Sequence, residues 1–341
     1  MVIGSGSEMG VKSYFAFWKE DAFGTVTGLT AGTGASTLEP LNFSVKTEIV
    51  SQKLEQIGIN RGFTKRVQLD KNVAGTMEQN YHPQESVLLT AVALGGGITT
   101  ASLSGGFTHQ LDAGDFDTSP SSLMFKVRKG QNHFWEYKGV RINQMTISGN
   151  VGEMIKASYE IIAQDSSLTG ADISGDLSIS AILPYTYVQG VYRYHSNIAS
   201  MTATVEEFIQ GFELVINNNM ITDANARALG SNTPQIFPPT RRSIEFKVQQ
   251  RFDTNTIWNR FVQATQGSVQ LRFVGQSASA KQNYTCVIDM PKVFVNSPEP
   301  EVAGPNEILS SEITYDVLVD NPDTSTGYDI RFTFINSTTS Y

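Results

Sequence analysis

Apolar and polar side chains alternate along several short stretches of the chain. The apolar members of these stretches are Leu41, Phe43 and Val45; Val73, Gly75 and Met77; Phe212, Leu214 and Ile216; Ile244, Phe246 and Val248; and Phe332 with Phe334. A period of two places every second side chain on one face of a strand, so each stretch predicts a half-buried β-strand. We therefore predict an all-β protein.

Two stretches break the alternation and predict short amphipathic helices. The first covers residues 83–94 and the second covers residues 254–265. Their apolar side chains are Val87, Leu88, Ala91 and Leu94 in the first, and Ile257, Trp258, Phe261 and Val262 in the second. Pro or Thr lies near each start and glycine follows each end, as is typical of helix termini.

The order of these elements repeats along the chain. Adding 171 to a residue number places Val73 on Ile244, Met77 on Val248 and Val87 on Trp258. A Thr-basic-Arg triplet precedes the strand in both copies, at residues 64–66 and 240–242, with a shift of 176. Each copy reads as strand, long loop, basic pair, strand, helix and glycine, the signature of an internal repeat.

We predict two tandem domains, residues 1–175 and 176–341, joined within the Ser-, Gly- and Asp-rich stretch 166–183. Loops at 47–65 and 217–240 occupy equivalent places in the two copies. Loops of this length are usually functional or are ordered by a partner.

Composition agrees with a folded, turn-rich β protein. The chain has 341 residues, of which 17% are charged, and its 19 Phe, 12 Tyr and 3 Trp provide ample material for a core. The formal net charge of −8 argues against a protein that grips nucleic-acid phosphates, because such binding requires cationic surface. An acidic wall would instead let DNA slide past without adhering.

Cysteine count and local hydropathy restrict the chain further. Cys286 is the single cysteine, which excludes an intramolecular disulfide and a cysteine-based zinc site, and its strand-like surroundings predict a small core side chain. The first residues contain no basic stretch followed by an apolar run, so we expect no secretory signal. The apolar stretch 86–94 is too short to cross a bilayer, so we expect no membrane contact and folding in a cytoplasm.

The sequence contains little that points to chemistry. The four histidines, at positions 82, 109, 133 and 195, lack metal-binding spacing. Two acidic clusters have calcium-like composition without EF-hand spacing: Asp112, Asp115 and Asp117, and Asp320, Asp323 and Asp329. Asp and Gly are also what turns require. With no nucleophile elbow, phosphate-binding loop or dinucleotide fingerprint, we predict no catalytic residue, no cofactor and no metal.

The basic pairs are the best-defined charged motif. Lys65 and Arg66 stand before one predicted strand, and Arg241 and Arg242 stand before its counterpart. A solvated loop end would explain them. An inter-subunit contact would also explain them, since a guanidinium binds a neighbour's carboxylate in a fixed fork. Their duplication favours the inter-subunit contact.

The order of motifs resembles the tail-tube proteins of siphophages, the group with a duplicated tube domain. The motifs are short: Glu20-x-x-x-Gly24-Thr25; Val73-x-Gly75-Thr76-Met77 after the first basic pair; Tyr137-x-Gly139-x-x-x-Asn143; Asn217-Asn218; and residues 303–307 before the last strands. Phe246 in place of Gly75, and a proline-rich loop before it, depart from an exact repeat. The resemblance runs from about Glu20 to Asn336.

The resemblance implies two tandem β-sandwich domains with short flanking helices, whose sheets join those of their neighbours into a β-barrel tube. Three duplicated chains would form a pseudo-hexameric ring, and rings would stack through the long loops around a tape-measure protein, between tail-end proteins. DNA would pass through the lumen without specific binding. The protein would be a virion tail component assembled in the host cytoplasm. The polar alternates Asn42, Ser44, Thr76 and Glu78 are the candidates for the lumen wall.

Other readings remain open at this level. Another ring-forming tail or injection-tube component would share the fold, and fold alone does not fix function. A carbohydrate-binding β-sandwich would need exposed aromatic platforms, and a β-sandwich hydrolase would need a concave site with a perturbed carboxylate.

Overall fold

The computed structural model describes residues 13–25, 36–55, 57, 62–114, 121–130, 132–169, 172–203, 206–252, 255–298, 309–320 and 327–341. It confirms the all-β class: every pairing between its strands is antiparallel, and the helices are short. The described residues contain no helix with the length and apolarity needed to span a membrane.

The elements fall into two successive sets. The first set is β1 Tyr14–Lys19, β2 Ser36–Leu38, β3 Asn42–Phe43, β4 Lys46–Lys53, β5 Arg66–Asn80, α1 Glu85–Leu94, β6 Ile98–Leu103, β7 Gly106–Asp112, β8 Leu123–Lys129, β9 His133–Asn150, β10 Lys156–Ala163 and β11 Asp165–Thr169. The second set is β12 Gly190–His195, β13 Glu206–Glu207, β14 Ile209–Asn217, β15 Ser243–Arg251, α2 Thr256–Val262, β16 Gly267–Ser277, β17 Asn283–Ser297, β18 Ser310–Val317 and β19 Arg331–Asn336.

Both sets pair their strands in the same order. The first runs β2–β1–β8–β9–β10–β5, with β3 and β4 following one another along the outer side of β5. The second runs β13–β12–β16–β17–β18–β15–β14. In addition, β11 pairs with the first part of β9, and β19 pairs with the first part of β17. The hairpin β6–β7 belongs to the first set alone.

The register of the sheets agrees with the 171-residue shift. Gly75 faces Ile161 as Phe246 faces Tyr315, and Met77 faces Phe43 as Val248 faces Phe212. The same 171-residue register can be extended to the second basic pair. Extended by one residue beyond β15, it aligns Arg242 with Lys71, whereas the shift of 176 aligns Arg242 with Arg66; the equivalence of the two basic pairs stays a prediction.

Strand pairings also cross from one set to the other. β9 pairs with β14, and β7 pairs with β19, so the two halves form one connected sheet system around a continuous core. Residues 166–169 of the predicted join belong to β11. The division at residue 175 stays a prediction.

The two helices form where the sequence predicts them, but the burial of their side chains differs from that expected of amphipathic helices. In α1, every residue from Ser86 to Leu94 is buried, and Gly95 ends the helix with a left-handed φ of 67°. In α2, Ile257 is buried, whereas Trp258, Phe261 and Val262 are 38%, 37% and 62% exposed. The prediction of a polar face on α1 is therefore wrong, and the apolar face of α2 is open.

The predicted loop 47–65 is largely a hairpin arm. β4 continues to Lys53 and β5 begins at Arg66, with Ser51 facing Gln68 and Lys53 facing Arg66. The loop prediction therefore fails at its start, where residues 47–53 belong to β4, whereas its predicted end at residue 65 agrees with the start of β5 at Arg66. The start was missed because polar side chains of β4 are solvated on both faces of a paired strand. Its counterpart between β14 and β15 folds back on the first half, where Phe237 and Met220 bury Ile162.

Candidate assembly surfaces

The junction between β9 and β14 is a complete antiparallel ladder between the two halves. Seven residue pairs join the strands, from Gly211 facing Asn150 to Asn217 facing Gln144. Leu214 and Ile216 face the buried Ile147 and Met145 across it. The array β3/β4–β5–β10–β9–β14–β15–β18–β17 therefore runs through both halves without a break.

The two ends of this array are open. Among the described residues, β3 and β4 pair with β5 on one side and with no strand on the other. At the far end, β16 accompanies β17 only as far as Val293, and no other described strand pairs with this edge of β17 beyond that residue. Unpaired edges of this kind recruit further strands.

Lys129 covers part of the β3–β4 edge. The Ser44 N–H donates to Thr76 O at 2.9 Å, and successive strand residues alternate in direction, so the carbonyl of Val45 points to the open edge. Lys129 Nζ donates to that carbonyl at 3.2 Å and to Tyr137 Oη at 2.9 Å.

Aromatic rings enclose the Lys129 ammonium. Its Nζ lies 5.3 Å from the ring centres of Phe43 and Trp135 and 5.5 Å from that of Tyr137. Burial lowers the pKa of this lysine. A charged side chain over an edge strand is a common guard against uncontrolled pairing. Sequence reasoning missed Lys129, because its neighbours come together only in the fold.

The four residues predicted for the lumen wall lie together on the exposed face of the array. Asn42 faces Glu78 in the ladder, and Ser44 Oγ lies 2.8 Å from Thr76 Oγ1. All four side chains are exposed, while their alternates Val45 and Met77 are buried in the core. The alternation was read correctly in this region except at Leu41, which is 55% exposed. That this face lines a channel stays a prediction.

This exposed face carries more carboxylates than cations. Its described acidic residues include Glu48, Glu78, Glu160, Glu213, Glu245, Glu312 and Asp316, and its basic residues include Lys46, Lys156, Lys247, Arg251 and Lys292. Lys247 Nζ lies 2.9 Å from Glu245 Oε1, and Lys156 Nζ lies 3.2 Å from Glu153 Oε2. Lys247 and Lys156 are thus neutralised locally.

The hairpin arm formed by β4 and β5 exposes apolar side chains on both strands. Ile49, Val67, Leu69 and Phe63 are between 43% and 60% exposed. Lys65 is exposed at the base of β5, and Arg66 Nε donates to Ser51 Oγ at 2.6 Å across the hairpin. Apolar side chains on a projecting arm are typical of a contact surface.

The second basic pair separates into two environments. Arg241 is exposed. Arg242 is bound inside the chain: its guanidinium contacts Asp329 at 3.0 Å and donates to the carbonyls of Leu94 and Gly114 at 3.3 and 3.0 Å. Lys71 and Asp165 form the corresponding ion pair in the first half. Whether any residue of the two pairs contacts a neighbouring subunit stays a prediction.

Glu20, from the opening motif, ties three segments together. Its carboxylate accepts hydrogen bonds from Gly24 N and Gly139 N, both at 2.8 Å, and from Ser122 Oγ. Both glycines have positive φ, 73° and 60°, which favours glycine over other residues. The motifs at residues 20–25 and 137–143 therefore meet in one structural contact.

The described acidic residues of the two calcium candidates have protein partners. Asp112 binds Arg331 and Asp329 binds Arg242, while Asp115, Asp117 and Asp323 lie outside the described residues. Among the residues that can be described, no group of three or more His, Cys, Asp or Glu is placed to hold a metal. Cys286 is fully buried, as predicted, and burial raises its pKa.

Comparison with known proteins identifies the family of this chain. The family model for phage tail tube proteins matches residues 10–318, nearly the whole chain. Among curated proteins, none matches this sequence significantly. The chain therefore belongs to the phage tail tube protein family, whose members are structural components of the virion tail.

Proposed function

We propose that this protein acts by assembly rather than catalysis: three chains close into a ring of six similar units, and rings stack into the tail tube of a long-tailed siphophage. The units are the halves 1–175 and 176–341. The single observation that carries the proposal is the β9–β14 ladder, which shows how one half joins the next.

The repeat extends this ladder beyond one chain. Strands β3 and β4 correspond to β14 in register, with Phe43 in the place of Phe212 and Val45 in the place of Leu214. β17 corresponds to β9 through their common partners. The open edge of β17 in one chain and the open edge of β3–β4 in the next can therefore repeat the β9–β14 junction, and closing the ring removes both edges.

The exposed sheet face would then line the lumen. Asn42, Ser44, Thr76 and Glu78 would contribute to its wall, together with the carboxylates of neighbouring strands. A polar surface with excess negative charge repels phosphates, so DNA would pass without specific binding. The tape-measure protein would fill the lumen before DNA ejection.

The hairpin arm would provide contacts between rings. Its exposed Ile49, Phe63, Val67 and Leu69 offer apolar area that a ring above or below could bury. Lys65, Arg66 and Arg241 lie at exposed positions where they could bind a neighbour's carboxylates, whereas Arg242 would support the junction from inside. Tail-end proteins would close the stack, and assembly would take place in the host cytoplasm.

Electron microscopy of purified protein tests the proposal when combined with an edge variant. The Thr47 N–H points to the open edge by the same alternation as Val45, so Thr47→Pro removes a donor there and leaves the pairing with β5 in place. Thr47→Ala, which keeps the N–H, is the matched control.

We expect wild type and Thr47→Ala to give rings or hollow tubes whose end-on averages have three-fold symmetry and six lobes. Thr47→Pro should stay unassembled at the same concentrations while keeping its unfolding temperature within a few degrees. A wild-type protein that stays monomeric at every concentration would overturn the tube proposal. Assembly of Thr47→Pro into normal rings would show that this edge is not the joining surface.

A further inference from the structure

Among the described residues, no element covers the outward face of α2, which is a small apolar surface. We call Trp258, Phe261 and Val262 the helix patch; the rings of Trp258 and Phe261 lie 5.7 Å apart. Their exposed fractions are 38%, 37% and 62%. Aromatic side chains exposed together in this way are costly in water and are typical of interface anchors.

The equivalent helix in the first half is completely covered. The 171-residue shift places Val87, Thr90 and Ala91 of α1 at the positions of the helix patch, and all three are buried. The helices share one packing partner, because α1 lies on β9 and α2 lies on the equivalent strand β17. The difference in burial between the two helices therefore arises on the side of each helix that faces away from this strand.

Two kinds of cover lie over α1. The hairpin β6–β7 packs on it and pairs with β19 of the second half. The end of β19 and the residues after it cover the start of α1, since Asn336 donates to Pro83 O and Gln84 donates to Ser337 and Thr338. Asn218 donates to Ala93 O at its end. Second-half residues thus complete the burial of α1.

In the described part of the second half, no hairpin lies at the equivalent place over α2. Only residues 263–266 link α2 to β16, where residues 95–122 link α1 to β8. The side chains of the helix patch are larger than their counterparts: Trp for Val, Phe for Thr and Val for Ala. Larger side chains can fill the space that the hairpin occupies over α1.

The helix patch points outward because α2 is anchored from its inner side. Arg260 Nη2 contacts Glu207 at 3.1 Å, and its guanidinium lies 3.7 Å from the ring centre of Tyr194. In the first half, the 171-residue shift places Leu89 at the position of Arg260. Leu38 corresponds to Glu207 by strand pairing, since Leu38 faces Phe15 of β1 as Glu207 faces Tyr192 of β12. Both leucines are core residues. The ion pair fixes the rotation of the helix and leaves the patch facing away from the chain.

We infer that the helix patch docks on the first half of a second copy of this chain, against β11. This strand corresponds to β19, which covers the region of α1 within the chain. Among the described residues, β11 pairs with β9 alone; Lys71 donates to its Ser166 carbonyl, and Leu168 further along is 63% exposed. Because α2 packs on β17, the helix patch lies beside the edge of β17 at which the next subunit would join the sheet. The inference rests on the proposed ring.

Charge insertion in the helix patch provides the test. Val262→Glu places a carboxylate at the centre of the proposed contact, and Val188→Glu places one at a 73% exposed position beside the junction within the chain. Val262→Glu should fold with an unchanged unfolding midpoint and raise the concentration needed for ring formation about tenfold or more, because burying an unpaired charge is costly. Val188→Glu should leave that concentration unchanged.

Oxidative labelling of Trp258 gives a second readout on the wild-type protein, before and after assembly. Protection of Trp258 on ring formation is the expected result. Rings that form with unchanged labelling and an unaffected Val262→Glu variant would overturn the docking of the patch and leave the tube intact. A wild-type chain that never forms rings would overturn the proposed function, and the patch inference with it.

Discussion

At the scale of single residues, the short motifs prove to be structural contacts. Glu20 joins two left-handed glycines, one in the turn after β1 and one in β9. Gly75 lets β5 approach the segment between β3 and β4 closely, since a Cβ there would lie 2.5 Å from Val45 Cα. Contacts this close exclude larger side chains. The register places Phe246 at the equivalent of Gly75, where the second half fills its core with an aromatic ring.

The two arginines of the second basic pair should respond differently to replacement. Arg242→Ala removes the cation that pairs with Asp329 and a donor to the Leu94 and Gly114 carbonyls, so we expect a loss of about 2–3 kcal/mol in the free energy of unfolding. Arg241→Ala should change it by less than about 0.5 kcal/mol, because its side chain is exposed. Urea denaturation of the unassembled subunits measures both, and equal effects of the two variants would contradict the assignment.

At the scale of elements, two equivalent helices end in opposite environments. α1 is enclosed by the inserted hairpin and by residues of the second half, whereas α2 has a sheet beneath it and an open outer face. The same position in a repeat can therefore serve as core in one copy and as surface in the other.

Truncation of one side chain in each helix should reveal this difference. Leu89→Ala in α1 removes a fully buried side chain and should cost about 2–5 kcal/mol. Val262→Ala in α2 should cost less than about 0.5 kcal/mol in the unassembled subunit. Thermal and urea unfolding of the two variants make the comparison. A similar cost for both would mean that α2 is covered within the chain.

At the scale of the whole molecule, one connected sheet array carries both the core and the open edges. Its ends at β3–β4 and β17 are the places where a further copy would join, and Lys129 lies over the first of them. Lys129 and Tyr137 both donate to the Val45 carbonyl, so we expect a strand that joins at this edge to compete with them for that acceptor.

Removing that lysine should make assembly easier. Lys129→Met keeps the side-chain volume among the aromatic rings and removes one of the two donors to the Val45 carbonyl, the other being Tyr137 Oη at 3.3 Å. Rings should therefore form at a protein concentration several-fold lower than for wild type. Lys126→Met, on the same strand with its ammonium over Trp18, is the control and should not shift this concentration. Light scattering against protein concentration measures the threshold. An unchanged or higher threshold for Lys129→Met would argue against an edge-guarding role.

The sequence by itself determined the strand class, the positions of both helices, the 171-residue repeat and the buried cysteine. These features follow from local periodicity, which depends on neighbours in the chain. The exposed positions of Asn42, Ser44, Thr76 and Glu78 followed from the same alternation.

Only the tertiary structure decided which elements cover one another. Periodicity cannot distinguish a helix enclosed by a distant hairpin from one left open, so the burial of α1 and the exposure of α2 were both missed. Nor could spacing bring Lys129 to Val45, because strand register and cross-strand contacts are set by long-range packing.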